Sequence, residues 1–243
     1  MKFSRKSAFI ATSLAFGLGS SCSSLPKNLG TAQDLFEATC SGPQAPGKSV
    51  TKVSGSIWAK VESPELKGQF PATVLAQAPN KLALEVTNLI GSPQAWLKME
   101  DGHVNLKLTP ATQRAYGQQS IRSIWGGLPL EFAPDLFLGR VPCPRTGTGR
   151  DLRISVVGER LEVIETDLAT KARSKYLYSY RGYDGRPWPK ALTFQGVLKS
   201  GQAIRVDFEF ESPSGAGAIA ERWSATSTRG TAKVRWKDRA VEP

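Results

Sequence analysis

The sequence predicts a mainly β protein in which short helices interrupt an antiparallel meander, and three observations carry that prediction. Apolar residues alternate with period two in ten or eleven short runs. The runs are parted by hairpin-length turns rich in Gly, Pro, Asn and Asp. Helical spacing is confined to a few brief stretches. Together these argue for a strongly curved antiparallel sheet or an incomplete barrel.

The chain opens with Lys2, Arg5 and Lys6 ahead of "SAFIATSLAFGLG", an apolar stretch too short to span a bilayer comfortably, which reads as an export signal. It ends in "LGSSC", small residues running into Cys22, and this resembles a bacterial lipobox, where signal removal leaves a cysteine that takes lipid. The pattern departs from the usual one in having Gly19, not a large aliphatic residue, three positions before the cysteine. Ordinary cleavage near Ser21 is the alternative. Ser23 is not the aspartate that retains enterobacterial lipoproteins at the inner membrane, so the resemblance implies the outer membrane. The organisation expected is a signal over 1–21, an anchor linker with a short N-terminal helix over 22–47, and one domain over 48–243, with 213–243 as a C-terminal extension.

"TAQDLFEATC" predicts the short helix, with Thr31 as N-cap, Asp34 in the first turn and Gly42-Pro43 as a stop. Strands follow at "SGSIWAKVES", "GQFPATVLAQ", "KLALEV", "QAWLKM" and "HVNLKL". Residues 118–142 interrupt them. Ile121, Ile124 and Trp125, then Phe132, Leu136 and Phe137, recur at helical spacing, with Pro129 and Pro134 limiting each helix. Such a helix pair either closes the core or forms a movable cover over a ligand cavity. Strands resume at "LRISVV", "RLEVIET", "SKYLYSY", "KALTFQGV" and "AIRVDFEF", with a late pair near "RWSATS" and "AKVRWK". The tail after residue 212 is expected to add an edge strand or to bind a partner.

The formal charge of +11 falls to +8 once Lys2, Arg5 and Lys6 leave with the signal. Export argues against nucleic acid and for phospholipid headgroups as the anionic partner, with a generally solvated basic surface as the alternative. Cys40 and Cys143 remain beyond Cys22, and an oxidising periplasm permits a bond between them; two free thiols are the alternative. Such a bond would close a loop of roughly 100 residues, worth about 4 to 5 kcal/mol in the chain-entropy account. The single histidine, His103, follows the "EDG" turn, and no metal cluster or Ser/His/Asp set assembles around it by spacing. No catalytic residues are expected, and no cofactor beyond a covalent lipid on Cys22.

One stretch resists a plain structural reading. In "LEVTNLIGSPQAWL" the residues Asn88, Gly91, Ser92 and Pro93 predict a turn, yet Leu89 and Ile90 stand side by side at its tip. The segment "KLALEVTNLIGSPQAWLKMEDGHVNLKL" resembles the third and fourth strands of the LolB family of outer-membrane lipoprotein receptors, within the LolA/LolB superfamily. There a strand ending in Thr-Asn-Pro-Leu-Gly-Ser leads into an alternating strand. "IWGGLPLEFAPDLFLGRVP" is similar to that family's helical connection, and "YLYSYRGYDGRPWPKALTF" with "IRVDFEF" to its late strands. The resemblance covers roughly residues 50–212.

That resemblance implies an incomplete antiparallel β-barrel of about eleven strands, short helices covering the opening, and an apolar cavity. It also implies that Leu89 and Ile90 form a membrane-insertion loop, Ile90 matching the family's protruding leucine. Leu89 stands where the family has proline. The cavity lining expected is Ile57, Val61, Phe70, Val74, Leu84 and Val86, with Ile121, Ile124 and Leu136 at the mouth. The implied task is to accept acylated lipoproteins from a periplasmic lipoprotein carrier and insert them into the outer membrane. A monomer anchored there and facing the periplasm, in contact with outer-membrane phospholipid, would suffice. The alternative is a lipoprotein of the same fold that binds or transports a phospholipid or glycolipid, or assists envelope assembly. A structural lipoprotein or an unrecognised hydrolase is the reading furthest from the family.

Overall fold

The computed structural model describes residues 30–64, 67–112, 129–197, 201, 203–213 and 220–243. Cys22, Ile121, Ile124 and Trp125 lie outside these residues.

Thr31 accepts a hydrogen bond from the Asp34 backbone at 3.1 Å, and Asp34 accepts one from the Thr31 backbone at 2.8 Å. This capping box starts helix α1 (Ala32–Phe36), which continues as a π-helical turn over Glu37–Ser41 and stops at Gly42. The strands are β1 (Lys52–Glu62), β2 (Lys67–Gln77), β3 (Lys81–Thr87), β4 (Pro93–Glu100), β5 (His103–Leu108), β6 (Arg150–Val157), β7 (Arg160–Asp167), β8 (Arg173–Tyr183), β9 (Arg186–Val197), β10 (Ala203–Phe210), β11 (Arg222–Ser227) and β12 (Gly230–Glu242). Between β5 and β6, a 3-10 turn (Leu130–Phe132) leads into α2 (Ala133–Phe137), with Pro134 in its first turn, where a missing N–H costs nothing.

All twelve strands form one antiparallel sheet in the order β5-β4-β3-β2-β1-β12-β11-β10-β9-β8-β7-β6. The sheet is open, an incomplete barrel with β5 and β6 as its edges. The described residues form twelve strands, in line with the eleven or so expected, but the expected edge position of the tail is corrected: β12 pairs with β1 from Lys52↔Glu242 to Glu62↔Thr231. The chain's end is thus the middle of the sheet. Alternation in "AKVRWK" marks a strand and one buried face, but it says nothing of which strand lies alongside.

One face carries the core. Ile57 and Val61 of β1, Val74 of β2, Leu84 of β3 and Leu97 of β4 continue through Val234 and Trp236 of β12 to Phe208 of β10 and Tyr178 of β8. Helix α2 lies on this face: Phe137 meets Trp223 and Trp236 edge-on at centroid distances of 5.7 and 6.1 Å. Helix α1 covers the β6–β7 side.

A polar seam ties the N-terminal segment down. Thr39 Oγ1 donates to the Leu35 carbonyl at 2.7 Å, which leaves the Tyr180 hydroxyl to donate to Thr39 at 2.8 Å. Tyr178 donates to the Pro142 carbonyl at 2.8 Å, and Tyr176 to buried Glu165 at 3.1 Å, itself paired with Arg150. Burial raises all three phenols above the ordinary tyrosine range, the Glu165 charge adding to it at Tyr176. Beside this seam Cys40 and Cys143 are joined by a disulfide with Cα atoms 5.8 Å apart.

Candidate lipid-facing turn and the face behind it

The β3–β4 connection is held by its own polar atoms. The Asn88 side-chain oxygen accepts from the backbone N–H of Ile90 at 3.1 Å and of Ser92 at 2.8 Å. The Asn88 backbone donates to Ser92 at 2.9 Å and accepts from Gly91 at 3.0 Å. Gly91 sits at φ 85° with open space where a Cβ would go, so its conformation, not crowding, calls for glycine. At the foot, Gln94 donates to the Ser92 and Pro93 carbonyls and accepts from Thr112 at 2.9 Å. With the N–H groups of Asn88, Ile90, Gly91 and Ser92 answered within the turn and the remaining dipoles open to water, the tip needs no packing from the rest of the chain.

Its two side chains have none. Leu89 is 78% exposed and Ile90 86%, the most exposed large apolar residues described. The register of β3 against β4 shifts between Val86 and Thr87, and this irregularity bends the strand end that carries the tip. Two other connections at that end of the sheet also expose an apolar side chain. Leu168, after β7, is 48% exposed, and Val197, closing β9, is 52% exposed. Lys67, Lys171, Arg173 and Arg229 stand exposed among them. The opposite end has Val157, 55% exposed, and its turns mix charges, with Asp101, Glu159 and Asp184 exposed beside Lys81, Arg160 and Arg186.

Ile57, Val74 and Leu84 are brought together on the sheet face beneath α2, where Leu136 of α2 joins them, and Val61 is buried on the same face outside that cluster. Val86 is half-buried against that cluster, and Phe70 is half-buried on the same face, its ring over Gly68. Among the described residues Ile57, Val74, Leu84 and Leu136 belong to one buried cluster that also takes in Phe132 and Phe137 of the helical segment. Arg140 fastens the cover, donating to the carbonyls of Gly47 at 3.1 Å and Val50 at 2.9 Å, with Asp135 at 3.6 Å. Burial raises the Asp135 carboxyl, and the Arg140 charge opposes that rise. Sequence reasoning placed no role on Asn88's side chain, Gln94 or Arg140. An Asn opening a five-residue turn was the available signal for the first; the others depend on contacts far along the chain.

Among the described residues no helix is long and apolar enough to cross a membrane, and no group of three His, Cys, Asp or Glu is placed to hold a metal ion. No family model and no curated protein matches the chain. Solved structures to which the chain is similar include the following two. A LolA superfamily protein from Nitrosomonas europaea aligns with a TM-score of 0.43 at 11% identity, over 88% of this chain and 94% of that one. A DUF1329 family protein from Desulfovibrio piger aligns with a TM-score of 0.44 at 6% identity, over 81% and 88%. Neither likeness speaks to the ligand of this chain.

Proposed function

We propose that this protein works in the bacterial envelope, receiving acyl chains and passing them into a bilayer through the Leu89–Ile90 tip. The observation that carries this reading is the pair of bare side chains on a self-bonded turn. Fully burying a leucine or isoleucine is worth roughly 1.5 to 3 kcal/mol, a gain this turn forgoes in water and recovers in hydrocarbon. The exposed cations on neighbouring turns suit the negative surface of a membrane, each contributing about 1 kcal/mol close to it.

The cargo that fits is an acylated lipoprotein delivered by a periplasmic carrier, and the destination is the outer membrane, to which a lipid on Cys22 would tether the chain. The LolB-like order of motifs in the sequence supports that choice. Acyl chains would enter the apolar face where Ile57, Val74 and Leu84 meet α2, displacing the helical cover. Exposed methylenes cost about 0.8 kcal/mol each in water, so shielding is the physical need such a face answers.

The test is transfer in solution. A purified periplasmic carrier is loaded with acylated cargo, this protein is added, and the cargo is followed to liposomes. Wild type accepts and releases it; Ile90→Glu accepts it and releases about tenfold less, since a charge at the tip opposes insertion. No movement of acylated cargo to the wild-type protein would sink the sorting role, and extraction of a phospholipid or glycolipid instead would replace it.

A further inference from the structure

The face of the sheet away from α1 and α2 holds a cleft of about 720 Å³, lined across β1, β12, β11, β10, β9 and β8. Its charge is unbalanced: Lys60, Arg181, Lys190, Arg222, Lys233 and Arg235 line it against Glu209 and Glu211. The sheet register makes the imbalance more than scattered surface charge. Lys60 lies directly opposite Lys233 across β1–β12, and Arg222 directly opposite Arg235 across β11–β12. Like charges set opposite each other on one face of an antiparallel pair destabilise it, and here two such pairs sit on three adjacent strands.

Local carboxylates answer only part of this. Lys60 pairs with Glu62 at 2.7 Å and Arg222 with Glu211 at 3.6 Å. The side chains of Lys190, Lys233 and Arg235 have no ion pair or hydrogen bond among the described residues, and Lys233 shares the Glu62 carboxylate only at longer range. Arg181 is fixed from behind, donating to the Phe210 carbonyl and to Ser212, while its buried Nε has no partner among the described residues. Buried unpartnered donors are rare enough to ask for a reason. Trp58, opposite Arg235, adds an aromatic surface, with the Lys237 ammonium 5.4 Å from its ring.

We propose that this cleft binds a multiply phosphorylated organic headgroup, the polar end of an envelope amphiphile. Cations spread over strands about 4.8 Å apart suit anionic groups spaced along one ligand, and arginine forks suit phosphate oxygens. The volume is that of an organic ligand, not of a lone phosphate, and Trp58 with Ala191 gives such a ligand apolar contact. The choice of an envelope amphiphile rests on the envelope setting proposed above, but nothing in this site uses the Leu89–Ile90 tip, so binding of the phosphorylated group is tested separately from transfer.

The experiment is calorimetric titration of the purified protein with fructose 1,6-bisphosphate, with inorganic pyrophosphate in parallel. Saturable one-to-one binding of the sugar is expected, weaker as salt rises and weakened about tenfold or more by Lys233→Glu with Arg235→Glu. Lys233→Gln alone should weaken binding while leaving the melting temperature close to that of wild type, because the lysine's repulsion of Lys60 is offset by its attraction to Glu62; a lysine that served only the fold would lower the melting temperature and leave binding unchanged. The Leu89→Ser, Ile90→Ser protein should bind as wild type. Cardiolipin-containing vesicles should displace the sugar, and phosphatidylcholine vesicles should not. Absence of saturable binding, binding indifferent to the charge reversals, pyrophosphate binding as tightly as the sugar, or no displacement by cardiolipin would each overturn the assignment.

Discussion

Strand β4 runs between two tight turns of opposite chemistry. At its start, Asn88, Gly91 and Ser92 close a loop that presents Leu89 and Ile90 to solvent. At its end, Asp101 at φ 48° and Gly102 at φ 79° make a two-residue hairpin in the primed-turn conformation. The flanking Glu100 is gripped there by Lys81 at 2.8 Å and Lys98 at 3.0 Å. Both turns meet their backbone needs locally. Once that is done, the tip side chains carry no structural duty, and one tip has spent its freedom on apolar bulk that solubility alone would forbid.

Exchanging those chemistries should have the largest effect. Replacing Leu89 by Asp and Ile90 by Ser is expected to weaken partition into phosphatidylglycerol vesicles roughly ten- to a hundredfold, taking about half the full burial value for each side chain. Stability to urea should change by no more than about 0.5 kcal/mol, because neither residue packs on the fold. Vesicle flotation and urea titration together check this. Unchanged partition with a lowered urea midpoint would mean that the tip serves the fold and not the membrane.

A smaller effect separates the turn from its tip. Asn88→Ala leaves the N–H groups of Ile90 and Ser92 without the side-chain oxygen, at a cost of about 1 to 2 kcal/mol, while Leu89 and Ile90 remain exposed. Partition should fall only about threefold, through looser presentation of the tip. At the other end, Asp101→Ala puts a Cβ residue without a helpful side chain at positive φ and should cost a similar amount with no change in partition. Equal losses of partition from the two substitutions would dissolve the contrast between the turns.

How much of this was legible in the sequence follows from the range of each cause. Alternation located the strands, Thr31 and Asp34 located the α1 cap, and "NLIG" located a turn with misplaced apolar residues, because each signal lies within a few positions of its effect. The place of β12 beside β1 was not legible, since Lys60 and Lys233 stand far apart in the chain and become neighbours only through register. For the same reason the cationic cleft was hidden. On any one strand its lysines and arginines are the ordinary polar half of an alternating pattern, and only stacking three strands in register sets like charges against one another. Alternation put Ile57, Val74 and Leu84 on the apolar sides of their strands, but it could not show that Phe137 closes over that face.

The mildest test of the two turns is acid. Hydrogen bonds from Lys81 and Lys98, then their charges, lower the Glu100 carboxyl from 4.5 to about 2. A carboxylate depressed in the folded state stabilises above its unfolded value, and that contribution drains as pH falls from about 4.5 towards about 2. The β4–β5 end should therefore loosen across that window, by a small amount because the group is exposed to solvent. Residues 88–92 contain no titratable side chain and should not respond. Amide exchange read over that pH range, corrected for intrinsic rates, should show protection falling around Glu100 while the Ser92 N–H bonded to Asn88 keeps its own. Glu100→Gln should flatten the first response and leave the second unaltered. Were Ser92 to lose protection in step with Glu100, the two ends of β4 would be one cooperative unit, and the apolar tip could not move independently of the salt-bridged turn.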